Sequence, residues 1–215
     1  MKKYIVLIGF LLSTTAVRAQ GQLGIQISPS IAFNRVHASL KSEDLSSAEA
    51  VFGIRLGAVY DYLIQENYYI STGMSYSLQH VAIKNKISSP AIHEQHALRY
   101  LQIPLLLKLY TSELMLDTRL YAAIGVIGQL NVGDSKTTLH DSQTTLFIES
   151  LRRWGLAGLL GVGVDYATSL SSRVFVGMSY QCGISNVIAQ QAQHVSVSKV
   201  TSYSDLLSID LGVIF

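Results

Sequence analysis

Disulfide chemistry is almost absent from this sequence, because it contains a single cysteine, Cys182. A scaffold held by a set of internal disulfides is therefore excluded. The lone thiol is expected to behave as a small apolar group that is either buried or faces lipid. Charge is scarce too, since charged residues make up 14% of the sequence, against about a quarter in an average domain.

Long apolar runs are also missing. The mean hydropathy of the chain is positive, yet after residue 19 no run of about 18 apolar residues is available for a transmembrane helix. A hydrophobic chain without such a helix must hide its apolar surface in another way. Strands that turn alternate residues towards lipid and towards a lumen do this.

The first 19 residues read as an export signal. Lys2 and Lys3 precede a short apolar run at residues 4–12, and residues 17–19 form a small-residue cleavage pattern. This order is typical of a secretory signal peptide cut after Ala19. We therefore predict a signal peptide at 1–19 and a barrel domain at 20–215. The alternative is an apolar segment that is retained as a short anchor.

Basic clusters are lacking, and this excludes nucleic acid as a partner. The chain has 16 Lys and Arg residues against 14 Asp and Glu residues. Removal of Lys2, Lys3 and Arg18 with the signal leaves 13 basic against 14 acidic residues. The basic isoelectric point thus belongs largely to the signal. No phosphate-binding loop is found either.

What the sequence does contain is a long period-two alternation of apolar and small or polar residues, which predicts strands. The outward set of one segment is Leu101, Ile103, Leu105, Leu107 and Leu109, and the inward positions are rich in Gly, Ala and Ser in most segments. Such small residues suit a narrow lumen. Eight segments are predicted: 22–35, 52–62, 68–80, 100–110, 120–132, 154–166, 173–184 and 206–215.

The connections between these segments alternate in length. Long ones (36–51, 81–99, 133–153 and 185–205) alternate with short ones (63–67, 111–119 and 167–172). Long outer loops and short periplasmic turns are the pattern of an outer-membrane barrel, whereas a soluble sandwich has no reason to alternate in this way. The predicted fold class is therefore an all-β, eight-stranded antiparallel transmembrane β-barrel.

Aromatic residues cluster near the ends of the predicted strands. Amphipathic rings prefer the membrane interface, so these residues predict two girdles, one at each interface. The alternative is that they are ordinary strand aromatics. The predicted girdle residues are Phe33, Tyr60, Tyr62, Tyr68, Trp154, Tyr166, Tyr203 and Phe215.

Four stretches resemble the porin-like outer-membrane β-barrel family, in its small eight-stranded form. They are YLQIPLLLKLY, GLAGLLGVGVDY, YQCGISNV and the last strand LSIDLGVIF. Members of that family include barrels similar to OmpX or OmpA and PorT-type proteins of a secretion apparatus. The resemblance implies the bacterial outer membrane as location and outer-membrane lipid as surroundings. It also implies that the C-terminal strand, ending in an aromatic residue, is read by the barrel-insertion machinery.

Charged residues occupy inward positions of the predicted strands. Arg55, Asp61, Lys108, Asp165 and Asp210 are expected to form a polar network that locks the lumen, because buried polar groups must be satisfied. A proton or ion path is the alternative, since ionisable groups inside membranes are often functional. The same alternation of faces places Arg153 and Arg173 inward. Arg99 falls on the other face and is expected at the outer rim of the barrel.

Signals for catalysis or metal binding are weak. His93 and His96 lie close together in the sequence, but two ligands are too few for a metal site, which needs three or four. Neither a nucleophile elbow nor an orienting acid accompanies His194 and Ser196. We predict no catalytic residue, no metal site and no cofactor.

The function predicted from these patterns is a non-enzymatic outer-membrane barrel that acts as a structural or interaction module. It would act through its outer loops or through a membrane-protein partner. Three alternatives stay open: an accessory subunit of a secretion or transport complex, a narrow pore for small solutes, and a lipid-modifying enzyme.

Overall fold

The computed structural model describes residues 21–38, 45–47, 51–85, 92–139, 148–169, 172–186, 188–191 and 200–215. Their regular structure is entirely β, and no helix long and apolar enough to cross a membrane is found among them. The strands are β1 (Gly21–Ala38), β2 (Leu45–Ser47), β3 (Val51–Gln65), β4 (Tyr68–Asn85), β5 (Ile92–Tyr110), β6 (Thr118–Leu139), β7 (Ile148–Leu151), β8 (Trp154–Ala167), β9 (Arg173–Gly183), β10 (Ile188–Gln191) and β11 (Val200–Ile214).

The eight long strands close into one barrel, so the predicted fold class is confirmed. Each of them pairs antiparallel with the next long strand, and β1 pairs with β11 to complete the ring. Because the ring has no free edge, its backbone donors and acceptors are satisfied within the sheet. Of the short strands, β2 pairs with the end of β4, and β7 pairs with β10.

The period-two pattern separates the two faces of the wall. In β9 every second residue is buried from Arg173 to Gln181, and the residues between them are exposed. The exposed set consists of large apolar side chains such as Val176 and Met178, and the buried set includes Ser179 and Gln181. An apolar outer face and a polar inner face are the reverse of a soluble sandwich and fit a wall surrounded by lipid.

Several strands continue further than the sequence pattern predicted, and the largest extensions lie at the end that carries the long loops. β4 reaches Asn85 instead of residue 80, β5 begins at Ile92 instead of residue 100, and β6 reaches Leu139. The added residues mix apolar and polar types without a period of two, as in Val81-Ala82-Ile83 and in His93 to His96, so periodicity gives no strand signal there. We call residues 80–85, 92–97 and 134–139 the outer extension; their pairing runs from His80–Ala97 to Asn85–Ile92.

The lumen is filled, and large rings occupy much of it. Tyr69, Tyr110, Tyr121 and Phe175 are buried and form a chain of contacts, with ring centroids 5.0, 5.7 and 6.3 Å apart. The small residues of the inner face make room for these rings. A Cβ added to Gly163 would lie 2.5 Å from Tyr121 Cζ, and one added to Gly212 would overlap the Phe175 ring. Alternation of small and large residues lets a narrow barrel pack its interior.

This packing predicts that Gly177→Ala destabilises the barrel. The new methyl group would collide with the Tyr121 hydroxyl and lie 2.8 Å from the Val162 carbonyl oxygen. Overpacking of this kind costs about 1–3 kcal/mol, measured as the free energy of unfolding in urea with the protein in lipid vesicles. The control is Gly128→Ala, where the nearest atom, the Ile103 carbonyl oxygen, lies 3.8 Å away. Equal stability of the two variants would contradict a tightly packed lumen.

Candidate functional site

The end of the lumen near the short turns holds a cluster of four charged side chains, which we call the turn-end cluster. Lys108 Nζ lies 2.9 and 3.0 Å from the two carboxylate oxygens of Asp61. Arg173 bridges two acids, with its Nη2 3.3 Å from Asp61 Oδ2 and its Nη1 3.3 Å from Asp165 Oδ2. The Tyr110 hydroxyl also donates to Asp165 Oδ2 at 3.3 Å. Two cations and two carboxylates thus neutralise one another.

This cluster is shielded from water by the surrounding rings. The Asp61 side chain is 0% exposed, and the other three charged residues are buried as well. Lys108 Nζ lies 5.5 Å from the Phe175 ring centroid, and the Arg173 guanidinium lies 5.2 and 5.4 Å from those of Tyr69 and Tyr110. Cations at these distances are attracted by the ring faces. The rings and the ion pairs together therefore fill the lumen at this level.

A second ion pair lies further along the lumen, and we call it the mid-lumen cluster. Arg55 Nη2 lies 2.8 Å from Asp210 Oδ1, and the same oxygen accepts a hydrogen bond from Gln26 Nε2 at 3.0 Å. Arg55 donates to Ser179 Oγ and Gln181 Oε1 at 3.4 Å. The pair is buried, and its polar surroundings supply the hydrogen bonds that a buried charge requires.

A small cavity adjoins both clusters. Its volume is about 60 Å³, and Arg55, Lys108, Tyr121 and Phe175 are among the residues that line it. The Gln102 side chain also lines it, with both amide atoms buried and without a protein partner. A polar space of this size has room for a few ordered waters, which would satisfy the glutamine. It is too small for an organic ligand.

A third polar group lies on the outward face of the wall, at the loop end of β9, and we call it the outer-wall clasp. Arg35 Nε and Nη2 lie 2.6 and 2.9 Å from the two oxygens of Asp205. The Tyr180 hydroxyl donates to Asp205 Oδ2 at 2.8 Å, and the Gly183 N–H donates to Oδ1 at 3.0 Å. Arg35 also donates to the Gly183 carbonyl at 3.3 Å and contacts Cys182 Sγ at 3.1 Å.

The clasp satisfies the backbone where two strands part. The ladder between β9 and β11 ends at the pair Gln181–Leu206, so Gly183 has no backbone partner on β11. In place of a β11 backbone partner, the Asp205 carboxylate accepts from the Gly183 N–H and the Arg35 guanidinium donates to the Gly183 carbonyl. A bidentate arginine–carboxylate pair is well suited to this, because both of its hydrogen bonds are charge-assisted and fixed in geometry.

Comparison with known proteins identifies the barrel. A family model described as an outer membrane protein beta-barrel domain matches residues 18–189. The chain belongs to this family. It is accordingly a bacterial outer-membrane protein. Barrels of this kind place their short turns in the periplasm, so the outer extension lies on the opposite side of the membrane. Comparison with curated proteins gives no match.

Comparison with solved structures returns outer-membrane proteins. The outer membrane protein OprG of Pseudomonas aeruginosa is 14% identical, with a TM-score of 0.55, over 91% of this chain and 97% of its own. The outer membrane protease OmpT of Escherichia coli is 8% identical, with a TM-score of 0.48, over 92% and 97%. The Neisserial surface protein A is 12% identical, with a TM-score of 0.46, over 89% and 95%. At these identities the similarity to OprG shows the fold alone.

The five predicted lumen residues do lie inside the barrel, but in two groups instead of one. Lys108 contacts Asp61 within the turn-end cluster, and Arg55 pairs with Asp210 in the mid-lumen cluster. Arg173, not Lys108, joins the second carboxylate to the first. The inward expectation for Arg153 is wrong, because this residue is exposed in a bend before β8 begins. The alternation of inward and outward side chains holds only within a strand, and Arg153 precedes one.

The predicted girdle residues lie near the ends of the strands. Phe33, Tyr62, Tyr68, Trp154, Tyr166 and Phe215 are exposed on the outward face. Tyr60 is half-buried and packs against Gly21, and Tyr203 lies beneath the Arg35 guanidinium, with 5.7 Å to its ring centroid. Tyr203 thus belongs to the outer-wall clasp, which residue periodicity did not reveal.

The histidine and serine candidates fall mostly beyond what can be described. His93 and His96 lie within β5 instead of in the predicted connection 81–99, and a spacing of three residues in a strand does not bring two positions to one side. His194 and Ser196 lie outside the described residues. Among the residues that are described, no three potential metal ligands converge.

We predict that Arg55→Met destabilises the barrel by about 3–5 kcal/mol, because it leaves the buried Asp210 carboxylate without its cation. Adding Asp210→Asn should restore part of that loss, since a neutral amide needs no counter-charge. Urea unfolding of the single and double variants in lipid measures the coupling. Arg152→Gln, at an exposed arginine, is the control. Strictly additive losses would argue against the ion pair.

For the outer-wall clasp we predict a local effect. Asp205→Ala removes the acceptor of the Gly183 N–H, so hydrogen exchange of that amide should become at least ten times faster. Amides at the other end of β9, such as that of Val174, should keep their rate because they are held in the ladders with β8 and β11. Unchanged exchange at Gly183 would show that the clasp does not hold this strand end.

Proposed function

We propose that this protein is a non-enzymatic outer-membrane barrel that acts as an interaction module, with the outer extension as its principal contact surface. The observation that supports this most directly is the continuation of strand pairing beyond the lipid-facing wall in β4, β5 and β6. β5 pairs with both β4 and β6 throughout the extension, up to residues 92 and 93. The result is an ordered projecting sheet instead of a set of independent loops.

The composition of the extension supports a position outside the hydrocarbon. Lys84, Glu94, Asp134 and Lys136 occur within it, and charged residues are costly on the lipid face of a barrel. The short strand β2 adds to its edge by pairing with residues 83–85 of β4. A sheet that is held in register by several strands presents a pre-organised surface, which reduces the entropic cost of binding.

The filled lumen argues against transport as the main activity. The turn-end cluster and its four aromatic rings occupy the periplasmic half, and the ion pair of Arg55 and Asp210 occupies the middle. The small cavity between these groups is no larger than a few waters need. These features support a locked barrel over a narrow pore.

Two further roles differ in the residues that they would use. A lipid-modifying enzyme would draw on His194 and Ser196, which fall outside the described residues. An accessory subunit of a secretion complex would use the same projecting sheet that we assign to partner binding. That second role is a special case of the proposal, and identification of the partner would decide it.

The test compares the native assembly of the wild-type protein with that of a shortened variant. The variant deletes residues 81–96 and joins His80 to Ala97, a ladder pair, through an Asn-Gly turn. After gentle detergent extraction from the native outer membrane, we expect the wild-type barrel in a larger assembly that the variant loses. Mass spectrometry identifies the partner.

Two controls make the result interpretable. The altered electrophoretic mobility of unheated samples, a property of folded barrels, confirms that the shortened variant still folds. Recordings in planar bilayers should show no conductance steps for the wild-type protein. A lone barrel in the native extract, an assembly that survives the deletion, or steady conductance steps would each contradict the proposal.

A further inference from the structure

The periplasmic turn between β5 and β6 carries an unusual apolar tip. Leu114, Met115 and Leu116 are consecutive, and their exposed fractions are 60%, 74% and 87%. No other large apolar side chain in the described part of the chain is more exposed than Leu116. A contiguous exposed apolar group that is flanked by polar residues often marks a contact surface. We call residues 113–117 the periplasmic tip.

The tip is held in one conformation by its own backbone. Leu114 N–H donates to the Thr118 carbonyl at 3.1 Å, and Thr118 N–H donates to the Met115 carbonyl at 3.0 Å. The Thr118 hydroxyl donates to the Leu116 carbonyl at 3.1 Å, and the Asp117 carbonyl accepts from Ala167 N–H at 2.8 Å. The three apolar side chains are therefore displayed by an anchored loop.

One residue of the tip is in a strained conformation. Asp117 has a φ of 60°, in the left-handed region that few residues other than glycine adopt. Aspartate tolerates this region better than most residues do. The bond from Ala167 to its carbonyl and the bonds of Thr118 fix the conformation in place. Strain that the surroundings maintain in this way is common at binding loops.

The membrane is a poor explanation for the exposed side chains. The lipid-facing belt next to this turn ends at Leu109 and Leu120, on either side of the loop. The turn closes at the Met115–Thr118 bridge, so the chain extends through Thr118, two residues or about 7 Å past Leu120. Because the interfacial layer on each side of the hydrocarbon is about 5–7 Å thick, the tip lies at the periplasmic border of that layer and outside the hydrocarbon.

Charge around the tip points to a basic partner instead of lipid. Glu113 and Asp117 flank the apolar residues, and Glu66 is exposed in the neighbouring turn, where Asn67 accepts a backbone hydrogen bond from Tyr110. The nearby Arg119 is only half-exposed, and its guanidinium stacks 4.9 Å from the Tyr110 ring centroid. Acidic residues are repelled by anionic phospholipid headgroups and attract lysine and arginine.

From this geometry we infer that the periplasmic tip is a docking element for a periplasmic protein whose binding site is an apolar pocket rimmed by lysine or arginine. Leu114, Met115 and Leu116 would fill the pocket, and Glu66, Glu113 and Asp117 would pair with the rim. This surface lies on the opposite side of the membrane from the outer extension. The inference is therefore independent of the proposed function.

The test places a photo-reactive benzophenone amino acid at position 115 in the full-length protein, expressed in its own bacterium. After irradiation, we expect one main adduct with a periplasmic protein. The matched control carries the same amino acid at position 169, an exposed serine in the turn between β8 and β9 at the same end of the barrel. No adduct, an adduct with phospholipid only, or the same adduct from position 169 would overturn the inference.

The charge requirement is tested in the same experiment. Glu66→Gln, Glu113→Gln and Asp117→Asn, combined in one variant, keep the shapes of the side chains, and asparagine tolerates the left-handed φ at position 117. The yield of the adduct should fall at least fivefold in this variant. An unchanged yield would overturn the assigned partner chemistry. Shortening the outer extension should leave the yield unaltered, which separates this test from the previous one.

A fluorescence measurement tests the position of the tip directly. Leu116→Trp is introduced together with Trp154→Phe, so that the only tryptophan reports on the tip. In phospholipid nanodiscs containing phosphatidylglycerol we expect a water-like emission maximum and efficient quenching by iodide. A blue-shifted, iodide-protected emission would place the tip in lipid and overturn the inference.

Discussion

Closure of the sheet between β1 and β11 is the constraint on which the rest of the structure depends. In lipid, an open edge would leave a row of peptide groups without hydrogen bonds, at several kcal/mol each. The ladder from Gly24–Ile214 to Ala38–Val200 removes that edge. With eight strands, closure also sets the diameter, because the radius of a barrel grows with the number of strands. Every inward side chain must fit the space that this diameter leaves.

The narrow lumen explains why charges and rings occur there together. A charge cannot stay unpaired in a dry interior, so each buried cation has a carboxylate within 3.3 Å. The aromatic rings then exclude water and stack on the cations, and the glycines opposite them provide the volume. The ion pairs and the aromatic rings thus fill the narrow lumen together. The same restriction leaves the ends of the barrel as the surfaces free to meet other molecules.

Much of this architecture can be predicted from the sequence, because strand periodicity and connection length both follow from how a barrel sits in lipid. The outward and inward sets of β9 agree with parity residue by residue. The inward position of Lys108 and Asp61 follows in the same way, but their pairing does not, since parity gives the face and not the neighbour across the lumen. Arg173 bridges two acids because Asp165 lies on the neighbouring strand β8 and Asp61 lies across the lumen on β3, which requires the closed structure.

Other features escape periodicity for identifiable reasons. The outer extension mixes apolar and polar residues without a period of two, so its strands give no alternating signal. A bulge opposite Arg99 and Tyr100 also shifts the phase of β6. Asp205 occupies an outward position that a lipid-facing pattern would leave apolar, and its partner Arg35 is distant in sequence. The exposure of Leu114, Met115 and Leu116 depends on a turn conformation that composition alone does not specify.

The outer-wall clasp has a consequence for the lipid around the barrel. The Arg35 side chain is 46% exposed on the outward face at the loop end of β9. A cation on the lipid face of a barrel is costly near the bilayer midplane and costs little at the interface, so Arg35 fixes the level at which the hydrocarbon ends beside β9. A barrel that tilted this side deeper into the bilayer would carry the arginine into the hydrocarbon. The clasp therefore limits the tilt of the whole molecule in the membrane, in addition to holding one strand end.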